Sequence, residues 1–468
     1  MNPMKNIALL LFVAWMTSCS HDFLDRAPIS QANESDYYKS AEDIKVAMDA
    51  AYNSLYQLYG PESLPSFFGE LMSDNCYTTN TAGTVSAYFE FQNCDLRADN
   101  ILIEEYWNNF YAAIFRVNNI LFQIRNLDFE EKDNYIGQCK FLRALYYFNM
   151  VQTWGGVPLV TTPITIAESY ALKRAGEEEV YSQIIADLQD AATLLKASPL
   201  KIGAATSGAA NTLLGKAYLT MGDKGKAKET LMKVYNKYTL VPYADLWDMT
   251  KKNGTESIFE IQYLGGKSNP YSRYWAMFSP IDNRIVTAWG AGMNQVTDDL
   301  WNAYEPNDIR RDLSIFDGYM QTDGSFNPTR FAKKWVDEDA ELDGLREASN
   351  NNFIILRYAD VLLMLAEATG DPKYLNEVRS RVNLPLYGSA LYPSDKYPTI
   401  ALAIEHERQV EFALEFHRFF DLKRTGRAIE VLKNSSKNID LDPFRLYVPI
   451  PLSVIIQNPD NITQNTGY

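Results

Sequence analysis

Residues 209–238 read AANTLLGKAYLTMGDKGKAKETLMKVYNKY, and the fold follows from this stretch. Leu214, Gly215, Tyr218 and Ala227 put small residues where two antiparallel helices must cross closely, with larger ones flanking them. Gly222-Asp223 supplies the turn between the two helices. A hairpin of this kind cannot bury its apolar face alone, so the reading predicts neighbours of the same type stacked against it.

The four offsets are those of a tetratricopeptide repeat, and a second hairpin is predicted over residues 354–383, turning at Gly370-Asp371-Pro372. Upstream, Ile44, Met48, Ala51, Leu55 and Leu58 recur at three- and four-residue spacing, one face of an amphipathic helix over residues 36–59. Phe110, Ile114, Val117, Leu121 and Ile124 do the same over residues 101–125. Further helices are expected over residues 132–154, stopped by Gly155-Gly156, and over residues 177–196, opened by three glutamates that suit a helix N-terminus. The expected fold class is mainly α, with tetratricopeptide-like hairpins forming a superhelical scaffold and little β structure.

Two stretches break this pattern. Residues 66–100 and 253–346 are rich in Gly, Asn, Asp and aromatic residues and lack helical periodicity, so both are expected to be long irregular insertions. Insertions of this length in a helical frame are functional or disordered, and the aromatic content argues against disorder. Sugar rings stack their apolar C–H faces on Trp and Tyr while their hydroxyls bond amides, carboxylates and guanidiniums. That mixture selects Tyr77, Tyr88, Phe89, Tyr274, Trp275, Asp282, Asn283, Arg284, Trp289 and Asn294 as candidate ligand-binding residues. For any one aromatic the alternative role is stapling its loop to the frame.

The chain has 468 residues, 46% of them hydrophobic, with 30 Tyr, 23 Phe and a formal net charge of −15. Nucleic-acid binding, which needs clustered Lys and Arg, is excluded on balance. Met1–Lys5 is basic, and the apolar run that comes after it is too short to span a bilayer. Met16-Thr17-Ser18-Cys19 then resembles a lipobox, with Met where Leu is common, so residues 1–18 are expected to be a lipoprotein signal peptide. Cys19 would carry the lipid, residues 19–33 would form the tether, and residues 34–468 a single domain. Residues 354–366 are too short to cross a membrane and contain Arg357 and Asp360. Of the other cysteines, Cys139 reads as a small core residue, while Cys76 and Cys94 are either paired or free.

Catalytic signatures fail on inspection. His406-Glu407 matches the opening of a zinc-binding HExxH helix, but Val410 stands at the second histidine, and only His21, His406 and His417 exist. Gly265-Gly266-Lys267-Ser268 has the tail of a phosphate loop without its leading glycine, and reads as a turn. Glu411 and Glu415, spaced as one helical turn, could pass for an acid–base pair. Arg408 and Arg418 fall three residues to either side, so both carboxylates are expected to be held ionised in a structural ion-pair network. No catalytic residue, metal or cofactor is expected.

Four segments resemble the SusD/RagB family of nutrient-binding lipoproteins. They are Cys19-Ser20-His21-Asp22-Phe23-Leu24-Asp25; Phe141-Leu142-Arg143-Ala144-Leu145-Tyr146-Tyr147-Phe148 running on to Trp154-Gly155-Gly156-Val157-Pro158-Leu159; residues 404–426 from Ile404-Glu405-His406-Glu407-Arg408 to Thr425-Gly426; and Val448-Pro449-Ile450-Pro451 with the close at Gly467-Tyr468. Phe416 stands where the family often has Gly, and Thr466 where Pro is common. The resemblance implies a helical scaffold anchored by lipid to the outer face of the outer membrane. It also implies an oligosaccharide ligand (a peptide in some members), a SusC-like TonB-dependent transporter as partner, and no catalytic activity. Two rival readings are a surface glycoside hydrolase and a repeat scaffold that binds only protein.

Overall fold

A computed structural model describes residues 38–79, 85–281, 290–321, 323–342, 344 and 346–468. The expected signal peptide and tether, with Cys19, lie outside these residues. Eight helices carry the frame: α1 Ala41–Leu58, α2 Ile101–Gln123, α3 Lys132–Trp154, α4 Glu177–Leu194, α5 Ser207–Thr220, α6 Lys224–Met232, α7 Tyr358–Thr369 and α8 Pro372–Arg381. Each packs on the next in sequence order, as expected of stacked hairpins that share one apolar face.

Local chemistry sets the ends of these helices. The Ser40 hydroxyl accepts the Asp43 N–H, and the Asp43 carboxylate accepts the Ser40 N–H, a reciprocal box that starts α1. Asn100, Thr206, Asp223 and Asp371 cap α2, α5, α6 and α8 through their side chains. From Gly137 onward, α3 is almost wholly buried. It runs through the core, where Arg143 makes a forked pair with Asp187 of α4 at 2.7 and 2.8 Å.

Four strands fix the two insertions to this frame and to each other: β1 Cys76–Tyr77, β2 Ser257–Ile261, β3 Gln295–Val296 and β4 Phe353–Arg357. The second hairpin was expected to begin at Ile354, yet Phe353–Arg357 is a strand and its helix begins at Tyr358. A short, fully buried apolar run has no helical or strand periodicity of its own, and the matching run Ser257–Ile261 pairs with it antiparallel. This pairing closes the base of the long insertion, so that α6 and α7 pack together as if nothing separated them. The insertions also hold more order than expected. Pro65–Leu71 is a π-helix, and Val85–Gln92, Tyr274–Phe278, Asp298–Ala303 and Ile309–Ser314 are short helices.

Cys76, Cys94 and Cys139 are free and buried, which resolves the open pairing of the first two. No described helix is long and apolar enough to cross a membrane. At the α5–α6 crossing, a Cβ on Gly215 would lie 2.5 Å from Cγ and Cδ2 of Leu231, which is fully buried.

Gly215→Ala should therefore lower stability by about 1–3 kcal/mol through overpacking, although alanine is the better helix former. Urea denaturation against the unaltered chain checks this. An equal or higher midpoint would show that the crossing is looser than the structure has it.

Candidate functional site

Both insertions chosen from sequence meet in space. β1 pairs antiparallel with β3, Cys76 opposite Val296 and Tyr77 opposite Gln295. Beyond the strands, the Thr79 N–H donates to the Gly292 carbonyl at 2.9 Å, and the Thr78 hydroxyl donates to the same oxygen at 3.2 Å. On the other side, the Thr297 N–H and hydroxyl donate to the carbonyls of Asn75 and Asp74. Gly292 has φ +65°, and a Cβ there would meet the Thr79 hydroxyl at 2.3 Å, so this contact between loops requires glycine.

Around the junction lies a half-exposed polar and aromatic rim. Tyr88 donates its hydroxyl to Glu62 at 3.1 Å, and Arg273 pairs with the other oxygen of Glu62 at 3.0 Å. The Arg273 and Glu62 side chains are 40% and 38% exposed, so both retain faces for a ligand. Phe89, next to Tyr88 on its helix, and Tyr77 are half-buried. Burial raises the Tyr77 phenol and a hydrogen bond with Thr329 lowers it, for a net rise. Trp301 is held between the guanidiniums of Arg311 and Arg330, each 4.6 Å from its ring.

The structure separates the predicted residues by role. Tyr77 and Phe89 are half-buried on the rim, whereas Tyr88 is corrected: it is 7% exposed, its ring packs against Phe67 at 5.0 Å, and it offers the rim little beyond the hydroxyl bonded to Glu62. Asn294 is buried, with its amide donating to the Ser66 hydroxyl at 3.0 Å, so it fastens one insertion to the other. Tyr274 and Trp275 are corrected: they are 0% and 2% exposed and leave no ring face for a sugar. Tyr274 donates its hydroxyl to the Tyr59 carbonyl and stacks on Phe353 at 5.3 Å. Trp275 stacks on Phe331. Asp282, Asn283, Arg284 and Trp289 lie outside the described residues. Glu62 was missed, because it reads as an isolated surface charge until the fold pairs it with Arg273.

The acid–base decoys have a different geometry from the one expected. α9, Ile400–Glu411, ends at Glu411, and left-handed residues at Leu414 and Phe416 turn the chain before α10, Arg418–Arg424. The four residues Arg408, Glu411, Glu415 and Arg418 therefore do not share one helical face. Arg408 pairs instead with Asp360 and Asp421, at 2.7 and 2.8 Å, and Arg418 with Asp74 at 2.8 Å. Glu411 takes its cations from distant segments: Arg310 at 2.8 Å, Arg357 at 2.5 Å, and Arg381. Glu415 is held by Arg357 and Lys334 at 2.8 and 2.7 Å. Burial alone would raise the Glu411 carboxyl, but the guanidiniums of Arg381, Arg357 and Arg310 outweigh it and hold the group well below the usual range. Burial likewise opposes Arg357 and Lys334 at Glu415, and the net shift is again downward. Neither glutamate can store a proton for catalysis at neutral pH.

His406 is pushed down to about 4 by burial, and its Nε2 lies 2.7 Å from the Ala303 carbonyl. Among the described residues no cluster of His, Cys, Asp and Glu could hold a metal ion. The glycine-rich turn at Gly265 is tied down by the Gly266 N–H, which donates to the Ala348 carbonyl.

Comparison with known proteins fits this architecture. A family model described as "Starch-binding associating with outer membrane" matches residues 22–219, and one described as "SusD family" matches residues 312–468. SusD-like protein P2 of Formosa agariphila is 27% identical, over 99% of this chain and 100% of its own. A solved laminarin binding SusD-like protein is 28% identical and superposes with a TM-score of 0.81, covering 92% of this chain and 100% of the other. Surface glycan-binding protein A from Bacteroides thetaiotaomicron, solved in complex with laminarihexaose, has a TM-score of 0.78 at 22% identity, over 91% of this chain and 99% of its own, and so shares the fold.

Glu411→Gln should cost about 3–5 kcal/mol, because it leaves three buried guanidiniums short of a carboxylate. The lowered carboxyls of Glu411 and Glu415 also set a pH dependence. Their stabilisation is complete above the ordinary glutamate value of 4.5 and is lost as pH falls below it. Urea midpoints measured from pH 7 to pH 3 should fall steeply below about pH 4.5. A flat profile, or a Gln variant as stable as the parent, would mean that the network contributes nothing.

Proposed function

We propose, from the premise that the chain belongs to the SusD/RagB family, that it is a non-catalytic cell-surface protein binding a neutral oligosaccharide at the junction of its two insertions. The bound glycan is passed to a SusC-like outer-membrane transporter. Cys19 carries the lipid that holds the protein on the outer face of the membrane. The observation that supports the site is the β1–β3 pairing, which brings Tyr77 against the insertion whose sequence carries Asp282, Asn283, Arg284 and Trp289; Arg273 of the same insertion pairs with Glu62.

This set of groups suits a sugar. Trp289 and Tyr77 supply faces for stacking, and the amide, carboxylate and guanidinium groups supply hydrogen bonds to hydroxyls. A β-glucan is the first ligand to test, since the relative at 28% identity is named for laminarin. The non-catalytic reading is supported by the state of Glu411 and Glu415. A glycosidase needs one carboxyl of raised pKa facing its substrate, and these two are buried, lowered and fully paired.

Calorimetry with laminarihexaose, maltohexaose, cellohexaose and xylohexaose should show saturable binding of at least one, with no reducing ends released on long incubation. Trp289→Ala should weaken that binding about 10-fold or more, the scale of losing one aromatic anchor. Hydrolysis would overturn the reading, and so would an affinity unchanged by both Trp289→Ala and Arg273→Ala.

A further inference from the structure

On the flank of α1, sharing no residue with the loop junction, lies a cleft of about 660 Å3. That volume falls within the roughly 300–1,000 Å3 of small-molecule sites. One wall is a single face of α1, where Asp49, Tyr52, Asn53 and Tyr56 follow at helical spacing. The opposite wall combines Tyr135, in the first turn of α3, with the segment from Leu200 to Ala204 and with Gln262. Met48, Leu55 and Ile261 form an apolar floor, each nearly fully buried.

Two of the tyrosine rings are locked in place. The Tyr52 hydroxyl donates to Gln138 Oε1 at 2.9 Å and accepts the Ala205 N–H at 2.9 Å. The Tyr56 hydroxyl donates to the Gln262 carbonyl at 2.9 Å, and its ring lies 5.1 Å from that of Tyr263. Rings held this way lose little freedom when a ligand docks. The charges at the cleft largely cancel: Lys201 pairs with Asp49 at 2.8 Å, and Lys45 with Glu42 at 3.4 Å. Burial pushes the Glu260 carboxyl up to about 7, which further reduces the negative charge. Fixed aromatic faces, side-chain amides and paired charges suit a neutral polyhydroxylated chain better than an ionic one.

We propose that this cleft is a second saccharide site, built by α1, the start of α3 and residues 200–204, which holds a separate stretch of the glycan. Its ligand class rests on the reading of the protein as a glycan binder, but its location does not. From Asp49 to the end of α1 is ~14 Å of helix, and Glu62 of the rim lies beyond that end. A long chain could occupy both sites at once, giving an avidity that neither site has alone.

Calorimetry of the full chain with the same four hexasaccharides separates the possibilities. Two binding events per chain are expected for the best ligand. Tyr135→Ala should remove one and Trp289→Ala the other. Asn53→Ala, at an exposed helical position where alanine is the better helix former, should weaken the cleft event several-fold without touching the fold. A single event abolished by Trp289→Ala and unmoved by both cleft variants would overturn the second site. A single event lost with the cleft variants and indifferent to Trp289→Ala would keep the cleft and overturn the loop-junction site. No binding of any of the four would overturn both.

Discussion

Arg357 sits at the end of β4 with 2% of its side chain exposed, and its guanidinium meets three carboxylates at once: Glu256, Glu411 and Glu415. Each of those is shared. Glu411 also takes Arg310 and Arg381, Glu415 takes Lys334, and Glu256 takes Arg381. Taking so many charges out of water is costly, and only near-complete pairing offsets it. The gain is geometric. Arg310 and Lys334 belong to the long insertion, Arg357 to the strand at its base, Arg381 to the last repeat helix, and the glutamates largely to the segment around α9. A single charge cluster thus clamps the insertion to the repeats, and any other docking would strand a charge in the core.

The aromatic core builds outward from that clamp. Phe353, at the opposite end of β4 from Arg357, stacks with Tyr274, Trp335 and Phe416, so the five-residue helix carrying Tyr274 is held against the frame. The Ala291 and Met293 N–H groups donate back to carbonyls of that helix, which positions β3, and β3 in turn positions β1. A chain of contacts therefore runs from buried charge, through stacked rings, to the surface where the two insertions meet. The candidate glycan surface is irregular in secondary structure but determined in position, as a recognition surface needs if it is to bind without a large ordering cost.

Much of this was legible in the residues. Spacings of three and four announced α1 and α2, because a helix that buries one face must repeat with its own period; a glycine stop marked α3, an acidic opening α4, and the repeat offsets α5 and α6. Close crossing at Gly215 was readable because only a small residue permits it. The two insertions were visible as composition. Their internal assignment was not: Tyr274 and Trp275 have the same side chains as surface stacking residues, and only the surroundings make them core. Asn294 likewise reads as a sugar-binding amide until the Ser66 hydroxyl is found beside it.

The divide has one physical origin. Periodicity, caps and turns are local, so the sequence by itself determined the helices of the frame, their order, the class of the fold and the two regions where the helical pattern breaks. Pairing across long separations is not local. That Phe353–Arg357 is a strand depends on Ser257–Ile261 being there to pair with it. That Glu411 and Glu415 are structural depends on arginines and a lysine brought from distant segments rather than on the arginines beside them in the chain. That Tyr77 meets the long insertion at all depends on β1 finding β3. These were decisions of the tertiary structure, because the free energy of a buried charge or an unpaired strand is settled by whatever the fold places against it.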